Sequence, residues 1–235
     1  LRGSHLVDNE LWEALRSIAN HVVQIWREPD EGIWEVRGGE KHFVHSKVMC
    51  WVALDRACKL QEAYGFEGNR EMWDKEREDI KQEVYEKGWN ETLHSFTQSY
   101  NSTNVDAALL LLPVVGFVQG SDPKMISTIA AIKKTLYCSD GLLRRYAAYD
   151  GLPGNEGAFL LASFWLVDAL ALSGQVQDAR ALFDIILTKA NHVDLFSEEM
   201  NPDNGEFLGN FPQAYTHIGL INSAYLLAEL GQSKW

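Results

Sequence analysis

The sequence predicts an all-α protein built as two concentric layers of helices, and three observations carry that prediction. Apolar residues recur at three-and-four spacing through most of the 235 residues, and no segment sustains the two-residue alternation of a half-buried strand. Segments that are apolar all round alternate with segments carrying one apolar stripe, which puts the first kind inside and the second outside. The pattern also repeats: a loop rich in Gly, Asn and Ser leads into a buried helix, and a short turn then leads into a charged, amphipathic one. Buried helices are expected to begin near residues 44, 105, 156 and 214. That spacing of roughly 50–60 residues is longer than the common helical solenoid repeats. In such a layout the loops that precede the inner helices gather at one rim.

Taken in order, Leu11, Leu15, Ile18, Val22 and Trp26 mark an amphipathic helix that Pro29 terminates. Val44 to Tyr64 is a buried helix ended by Gly65. Asn69 to Lys87 is charged, with Met72, Trp73, Ile80 and Val84 on one stripe. A loop of Ser, Thr, Asn and Gln follows, and Thr103-x-x-Asp106 is placed to cap a buried helix through about Phe117. Pro123 opens an amphipathic segment, Met125 to Tyr137. Asp140-Gly141 and Asp150-Gly151 mark turns around Leu142-Leu143-Arg144-Arg145-Tyr146. Asn155 to Leu172 is nearly all apolar or small, hence buried; Gln175 to Ala190 is amphipathic, and Gln213 to Leu230 is a final buried helix. These make about eight helices, read as a single domain over residues 1–235.

Composition narrows the partners. The chain is 46% hydrophobic and 11% aromatic, enough for a sizeable core. With 21 basic against 33 acidic residues its formal charge is −12, a field that repels nucleic acid and anionic membranes. The longest apolar run, Ala107 to Val118, is short of the roughly 20 residues a membrane span needs. Cys50, Cys58 and Cys138 are an odd number with no C-x-x-C pair, and Cys50 and Cys58 lie too far apart along one helix to bond. A disulfide framework is therefore not expected, and a reducing, cytoplasmic setting is. Leu1-Arg2-Gly3-Ser4-His5 does not read as a signal peptide, and without an initiator Met the chain reads as a fragment. Asn90-Glu91-Thr92 and Asn101-Ser102-Thr103 fit a glycosylation pattern that short sequences match often by chance.

The loop between the first two helices holds the chemistry. In Asp30-Glu31-Gly32-Ile33-Trp34-Glu35-Val36-Arg37-Gly38-Gly39 a carboxylate stands beside an indole and a cation, and three glycines let the backbone turn tightly. A carboxyl against an indole loses water, which favours its neutral form, as a general acid requires. A second acidic loop, Ser197-Glu198-Glu199 through Gly209-Asn210-Phe211-Pro212-Gln213, reaches the same rim. One carboxyl with an apolar partner and one in polar company fit paired acid and base work on a glycosidic bond. With 33 acids in the chain, residue types alone leave many other pairs open.

Gly32-Ile33-Trp34-Glu35-Val36-Arg37-Gly38, His45-Ser46-Lys47-Val48-Met49-Cys50-Trp51 and Ser197-Glu198-Glu199 through Gly209-Asn210-Phe211-Pro212-Gln213-Ala214 strongly resemble glycoside hydrolase family 15, in order along essentially the whole chain. That family contains the glucoamylases, glucodextranases and prokaryotic trehalases. The resemblance implies an (α/α)6 toroid of paired inner and outer helices, incomplete here, with about eight of its twelve helices. It implies that Glu35 is the general acid and Glu198 the general base of an inverting hydrolase that releases β-glucose from an α-glucosidic bond. Trp34 then lines the sugar site, and Arg145, beside Tyr146, resembles the substrate-binding arginine. Tyr215 lies where some members carry another aromatic. Inversion implies carboxyl groups roughly 6.5–9.5 Å apart, leaving room for a water under the anomeric carbon. The spelling Ile-Trp-Glu-Val-Arg-Gly is closer to the bacterial trehalase and glucoamylase-like branch than to the fungal enzymes. The leading hairpins absent from this chain carry, in the family, an Arg-Asp pair that grips the terminal glucose.

The remaining side chains have plainer readings. Glu199 and Glu206 read as solvated, and Asp30 as support for the loop backbone. Arg37 either orients Glu35 or touches sugar hydroxyls. His42 and His45 are three apart, but no carboxylate or Cys joins them at ligand spacing. Capping or packing is therefore preferred to a metal site, and no cofactor or metal is expected. Lys47 is placed to pair with a carboxylate at the rim, Cys50 to be a small buried residue, and Trp51, Phe159, Phe164 and Trp165 to be core. A carbohydrate is the expected partner, and an open toroid, exposing its inner helices, is expected to self-associate. Two rivals are a non-catalytic toroid that binds a carbohydrate or a protein, and a polysaccharide lyase working through a Tyr or His base.

Overall fold

The computed structural model describes residues 7–35, 38–147 and 157–232. The expected turn at Asp150-Gly151, the expected helix start at Asn155 and Arg37 lie outside them. Eight α-helices occur among the described residues: α1 Asn9–Ile25, α2 Val44–Tyr64, α3 Arg70–Lys87, α4 Leu111–Val114, α5 Pro123–Leu136, α6 Leu160–Leu172, α7 Val176–Leu187 and α8 Ala214–Gln232. The bounds of α2 coincide with the sequence reading. Gly65 follows it with φ +69, the left-handed turn that releases the last carbonyls and that a Cβ disfavours. Asp8, Asn69 and Asp122 cap α1, α3 and α5, each accepting a hydrogen bond from a first-turn amide.

The layering follows burial. Of α6, Leu160 and the run Ala162 to Ala171 are buried, as an inner helix requires, while α7 buries only Ala179, Leu182 and Ile186. Likewise α2 is inner, and α1 and α3 pack on its outer side through Trp12, Trp73, Ile80 and Val84. The third inner segment departs from expectation. No continuous helix runs from Asp106 to Phe117; a 3₁₀ turn, Ala107–Leu110, passes into the single-turn α4. Thr103 does not cap it, because the chain up to Asp106 is extended (φ −143, ψ 140) and the Asp106 carboxylate itself accepts from the Ala108 amide. Gly116, at φ +81, then turns the chain away.

The last helix also departs from its reading. Thr216, Ser223 and Leu227 of α8 are buried against α6, yet Tyr215, Ile218, Ile221 and Tyr225 are 50–65% exposed. Apolar all round, α8 has an inner neighbour on one side only, so its other face meets solvent. Among the described residues there are also five two-residue strands: β1 Trp89–Asn90, β2 Ser95–Phe96, β3 Ala158–Phe159, β4 Glu199–Met200 and β5 Phe207–Leu208. They form no sheet of consequence, but their pairings hold the rim. Antiparallel β3-β4-β5 sets Phe159 opposite Glu199 and Glu199 opposite Leu208. No helix among the described residues is long and apolar enough to cross a membrane.

Candidate active site

The loop that carries Trp34 and Glu35 is closed at its foot. Asp30 and Lys41 exchange both backbone hydrogen bonds, at 3.0 and 2.8 Å. The Asp30 carboxylate accepts from the Gly32 amide (2.7 Å) and the Ser46 hydroxyl (2.6 Å), the supporting role read for it from sequence. Gly32 has φ +74, and a Cβ there would meet the Phe43 ring at 2.9 Å, so only glycine passes. Below the loop lies Lys47, 1% exposed. It finds carbonyls rather than the expected carboxylate: its Nζ donates to Trp26 O (2.6 Å) and to Glu28 O, at the C-terminal end of α1. Burial depresses its pKa, against the pull of Asp30. His45 is lowered to about 4 by the same loss of water, with Asp30 opposing.

Glu35 sits at the tip in the left-handed region, φ +47, a conformation that costs a non-glycine residue roughly 1–2 kcal/mol. Its side chain is exposed, and its amide makes a long hydrogen bond to Gly32 O (3.4 Å). Trp34 is held far more firmly. Its indole Nε1 donates to the Asp106 carboxylate, 3.0 Å from each oxygen. Its ring meets Phe159 edge-on (centroids 5.5 Å apart), Trp165 at 6.0 Å and Tyr146 at 6.4 Å.

Glu198 comes from the far end of the chain and is fixed by its own loop. Its backbone bonds to Asn210 O on one side and Leu160 N on the other. Its Oε2 accepts from both the Asn210 amide (2.9 Å) and Asn210 Nδ2 (2.8 Å). Gly209, at φ +70, passes so close that a Cβ would stand 2.7 Å from that oxygen. Its neighbour Glu199 is not the solvated residue expected. It is largely buried and pairs with Arg145 at 3.3 Å, because the β3-β4 ladder turns it inward. Arg145 in turn lies 5.5 Å from the centre of the Trp34 ring and 5.4 Å from that of Phe159.

These residues enclose a cavity of about 540 Å³, within the usual range for small-molecule sites. Ile33, Trp34, Glu35, Arg145, Glu198 and Tyr215 line it, together with Phe159, Leu161 and Trp165. Of the residues singled out from sequence, Trp34, Glu35, Arg145, Glu198 and Tyr215 thus meet in one place. Tyr146 does not line it; 6% exposed, it backs Trp34 from behind. Phe159 and Trp165 are buried as read, but their edges form the cavity wall, because they stand at the rim end of an inner helix. Cys50 is half-buried rather than buried, and burial raises its pKa. Sequence reading passed over Asp106 as a binding partner and gave Asn210, quoted within the Glu198 motif, no role of its own. The sequence signal for it is the dipeptide Gly209-Asn210, a tight-turn spelling that brings the chain back to Glu198.

The profile of Glycosyl hydrolases family 15 matches residues 3–225. The chain is 41% identical over 224 residues to a trehalase of Thermoplasma volcanium, covering 95% of this chain and 36% of that protein. It is 44% identical over 220 residues to a trehalase of Mycobacterium tuberculosis, covering 92% of this chain and 32% of that one. The chain thus spans about a third of the length of these curated relatives. Among solved structures it resembles a glycosidase variant in complex with glucose (TM-score 0.80, 22% identity, 95% of this chain and 62% of that one). It also resembles a bacterial glucoamylase complexed with acarbose (TM-score 0.78, 15% identity, 94% and 38%). The two helical layers are those of an incomplete (α/α)6 toroid.

Proposed function

Because the chain belongs to the glycosyl hydrolases of family 15, we propose that it forms the catalytic rim of an inverting α-glucosidase whose substrate is trehalose, with malto-oligosaccharides second. The observation that carries the reading is the convergence of Glu35 and Glu198, from opposite ends of the chain, on one aromatic-walled cavity with Arg145. Names of relatives favour trehalose: those at 41% and 44% identity are trehalases, whereas the glucoamylase likeness stands at 15%.

In this mechanism Glu35, protonated, gives its proton to the leaving glycosidic oxygen. Glu198, as carboxylate, takes a proton from the attacking water on the opposite face of the ring. Both Asn210 donors land on Oε2, which leaves Oε1 to receive that proton. The separation required of the two carboxyls is roughly 6.5–9.5 Å, and the product is β-glucose. Trp34 and Phe159 offer the apolar surface that a pyranose ring stacks on, and Arg145, held by Glu199, offers donors to its hydroxyls. Arg37 belongs to the same loop and is assigned to orienting Glu35 or to binding sugar.

A second reading, a carbohydrate-binding toroid without turnover, is favoured by the exposure of Glu35. One experiment separates them. The purified chain is assayed on trehalose and maltotriose beside Glu35→Gln and Glu198→Gln, with the product anomer followed by NMR. β-Glucose release lost in both variants supports the hydrolase. A folded chain that binds acarbose without turning over either sugar supports the binding toroid, and an unsaturated, ultraviolet-absorbing product overturns both in favour of a lyase.

A further inference from the structure

Asp106 is 4% exposed and hydrogen-bonded to groups from three separate parts of the rim. Its carboxylate accepts from Trp34 Nε1 (3.0 Å to both oxygens), from Gln98 Nε2 (2.9 Å) and from the Ala108 amide (2.7 Å). Its backbone pairs with Tyr146, and the next amide donates to Arg145 O at 2.8 Å. The loop of Trp34, the polar loop at Gln98, the start of the third inner segment and the segment of Arg145 are thus tied to one residue. A buried carboxylate is costly unless its lone pairs are satisfied, and here side-chain and backbone donors converge on them.

We propose that Asp106 is a positioning residue for Glu35, acting through the Trp34 indole. Glu35 follows Trp34 directly in sequence, stands in a strained left-handed conformation, and, among the described residues, its amide makes the 3.4 Å bond to Gly32 O. Through that adjacency, whatever fixes Trp34 also constrains where Glu35 stands at the cavity. Aromatic contacts limit how far the ring tilts. The hydrogen bond to Asp106 fixes where along the wall the ring sits, because it ties the one polar atom of the indole to a residue anchored on both sides. A neutral isostere does not serve: an Asn side chain keeps one acceptor and replaces the other with an NH2. In either orientation that group would face the indole N–H together with the Ala108 amide or Gln98 Nε2, donor against donor, so the indole keeps one of its two acceptors. This inference rests on the hydrolase reading for its effect on rate, but not for its effect on the loop.

The test compares Asp106→Asn, Trp34→Phe and the double variant with the unaltered chain, by hydrogen exchange of the amides over residues 32–35 and by steady-state hydrolysis of trehalose. Exchange over 32–35 is expected to quicken in both single variants. In the double variant it should be no faster than in Trp34→Phe alone, since the bond is already gone. Turnover is expected to fall roughly tenfold to a hundredfold in Asp106→Asn with KM changed little, as for a displaced acid rather than a lost binding group. Equal exchange over 32–35 in Asp106→Asn and the unaltered chain overturns the proposal. So does an additive effect in the double variant, which marks Asp106 as a general structural residue. If the unaltered chain has no turnover the hydrolase reading fails, and the exchange data alone still decide the role of Asp106. If Asp106→Asn does not fold, Trp34→Phe makes the same test from the other partner, and unchanged exchange in it overturns the proposal.

Discussion

Asp168 and His45 make a measurable pair of opposed pH responses. Asp168 lies on α6, 5% exposed, with its carboxyl accepting from the Ser223 hydroxyl of α8 at 2.6 Å. Burial pushes it from its ordinary 3.8 up to about 6, more than the serine restrains it. The folded state therefore holds this proton more tightly than the unfolded chain. Its stabilisation is fully present below pH 3.8 and is lost as pH rises through about 6. The span corresponds to about 3 kcal/mol, of which roughly 2 falls between pH 7 and pH 4. His45 runs the other way: lowered from 6.5 to about 4, it stabilises above pH 6.5, and that is lost as pH falls through about 4, again about 3 kcal/mol. In the unaltered chain the two offset one another. In Asp168→Asn, where the amide oxygen keeps the serine bond and nothing titrates, the loss from His45 stands unopposed. Urea denaturation at pH 7, 6, 5 and 4 should show the unaltered chain gaining roughly 2 kcal/mol on Asp168→Asn across that range. Carboxylates elsewhere cancel in the difference. A difference independent of pH would refute the argument that burial between α6 and α8 keeps this carboxyl protonated.

Three further expectations come from the same contacts. Asn210→Ala removes the side-chain donor to Glu198 Oε2 and keeps the backbone one, so turnover of trehalose should fall roughly tenfold; unchanged turnover would remove Asn210 from the mechanism. Lys47→Met leaves the carbonyls of Trp26 and Glu28 without their donor under the loop of Trp34 and Glu35. It should cost about 1–3 kcal/mol by thermal or urea unfolding, and a neutral result would mean that water replaces the ammonium. The exposed stripe of Tyr215, Ile218, Ile221 and Tyr225 on α8 should drive self-association of the isolated chain. Sedimentation velocity should then show a concentration-dependent species that Ile221→Lys shifts to monomer, and a monodisperse monomer of the unaltered chain would count against it.

How far the sequence could be read depends on the range of the physics involved. The α2 helix was legible to the residue because periodicity and Gly65 are local, as was the role of Asp30, whose partners lie within sixteen positions. The gathering of Glu35, Arg145 and Glu198 at one rim followed from layering, since inner helices in a ring share a polarity. Contacts made across the ring were not legible. The partner of the Trp34 indole lies 72 positions away, and nothing in the spelling Thr103-x-x-Asp106 distinguishes a cap from a clamp. Arg145 and Glu199 meet only because two-residue ladders, too short for any periodicity, set their register.

The final helix shows the same limit from the other side. Its composition reports that every face is apolar, which is a statement about what the faces require, while burial depends on which neighbours are present. In α6 those neighbours exist on all sides and Phe164, Leu166 and Val167 are fully covered; in α8 the same kind of sequence leaves Ile221 64% exposed. Tyr215 opens that uncovered face and lines the cavity as well, so the cavity wall and the exposed face of α8 are one surface. A group seated on that face would therefore also touch the cavity beside Glu198. On the proposed reading, turnover by this chain should respond to occupation of that face even though neither carboxylate lies on it.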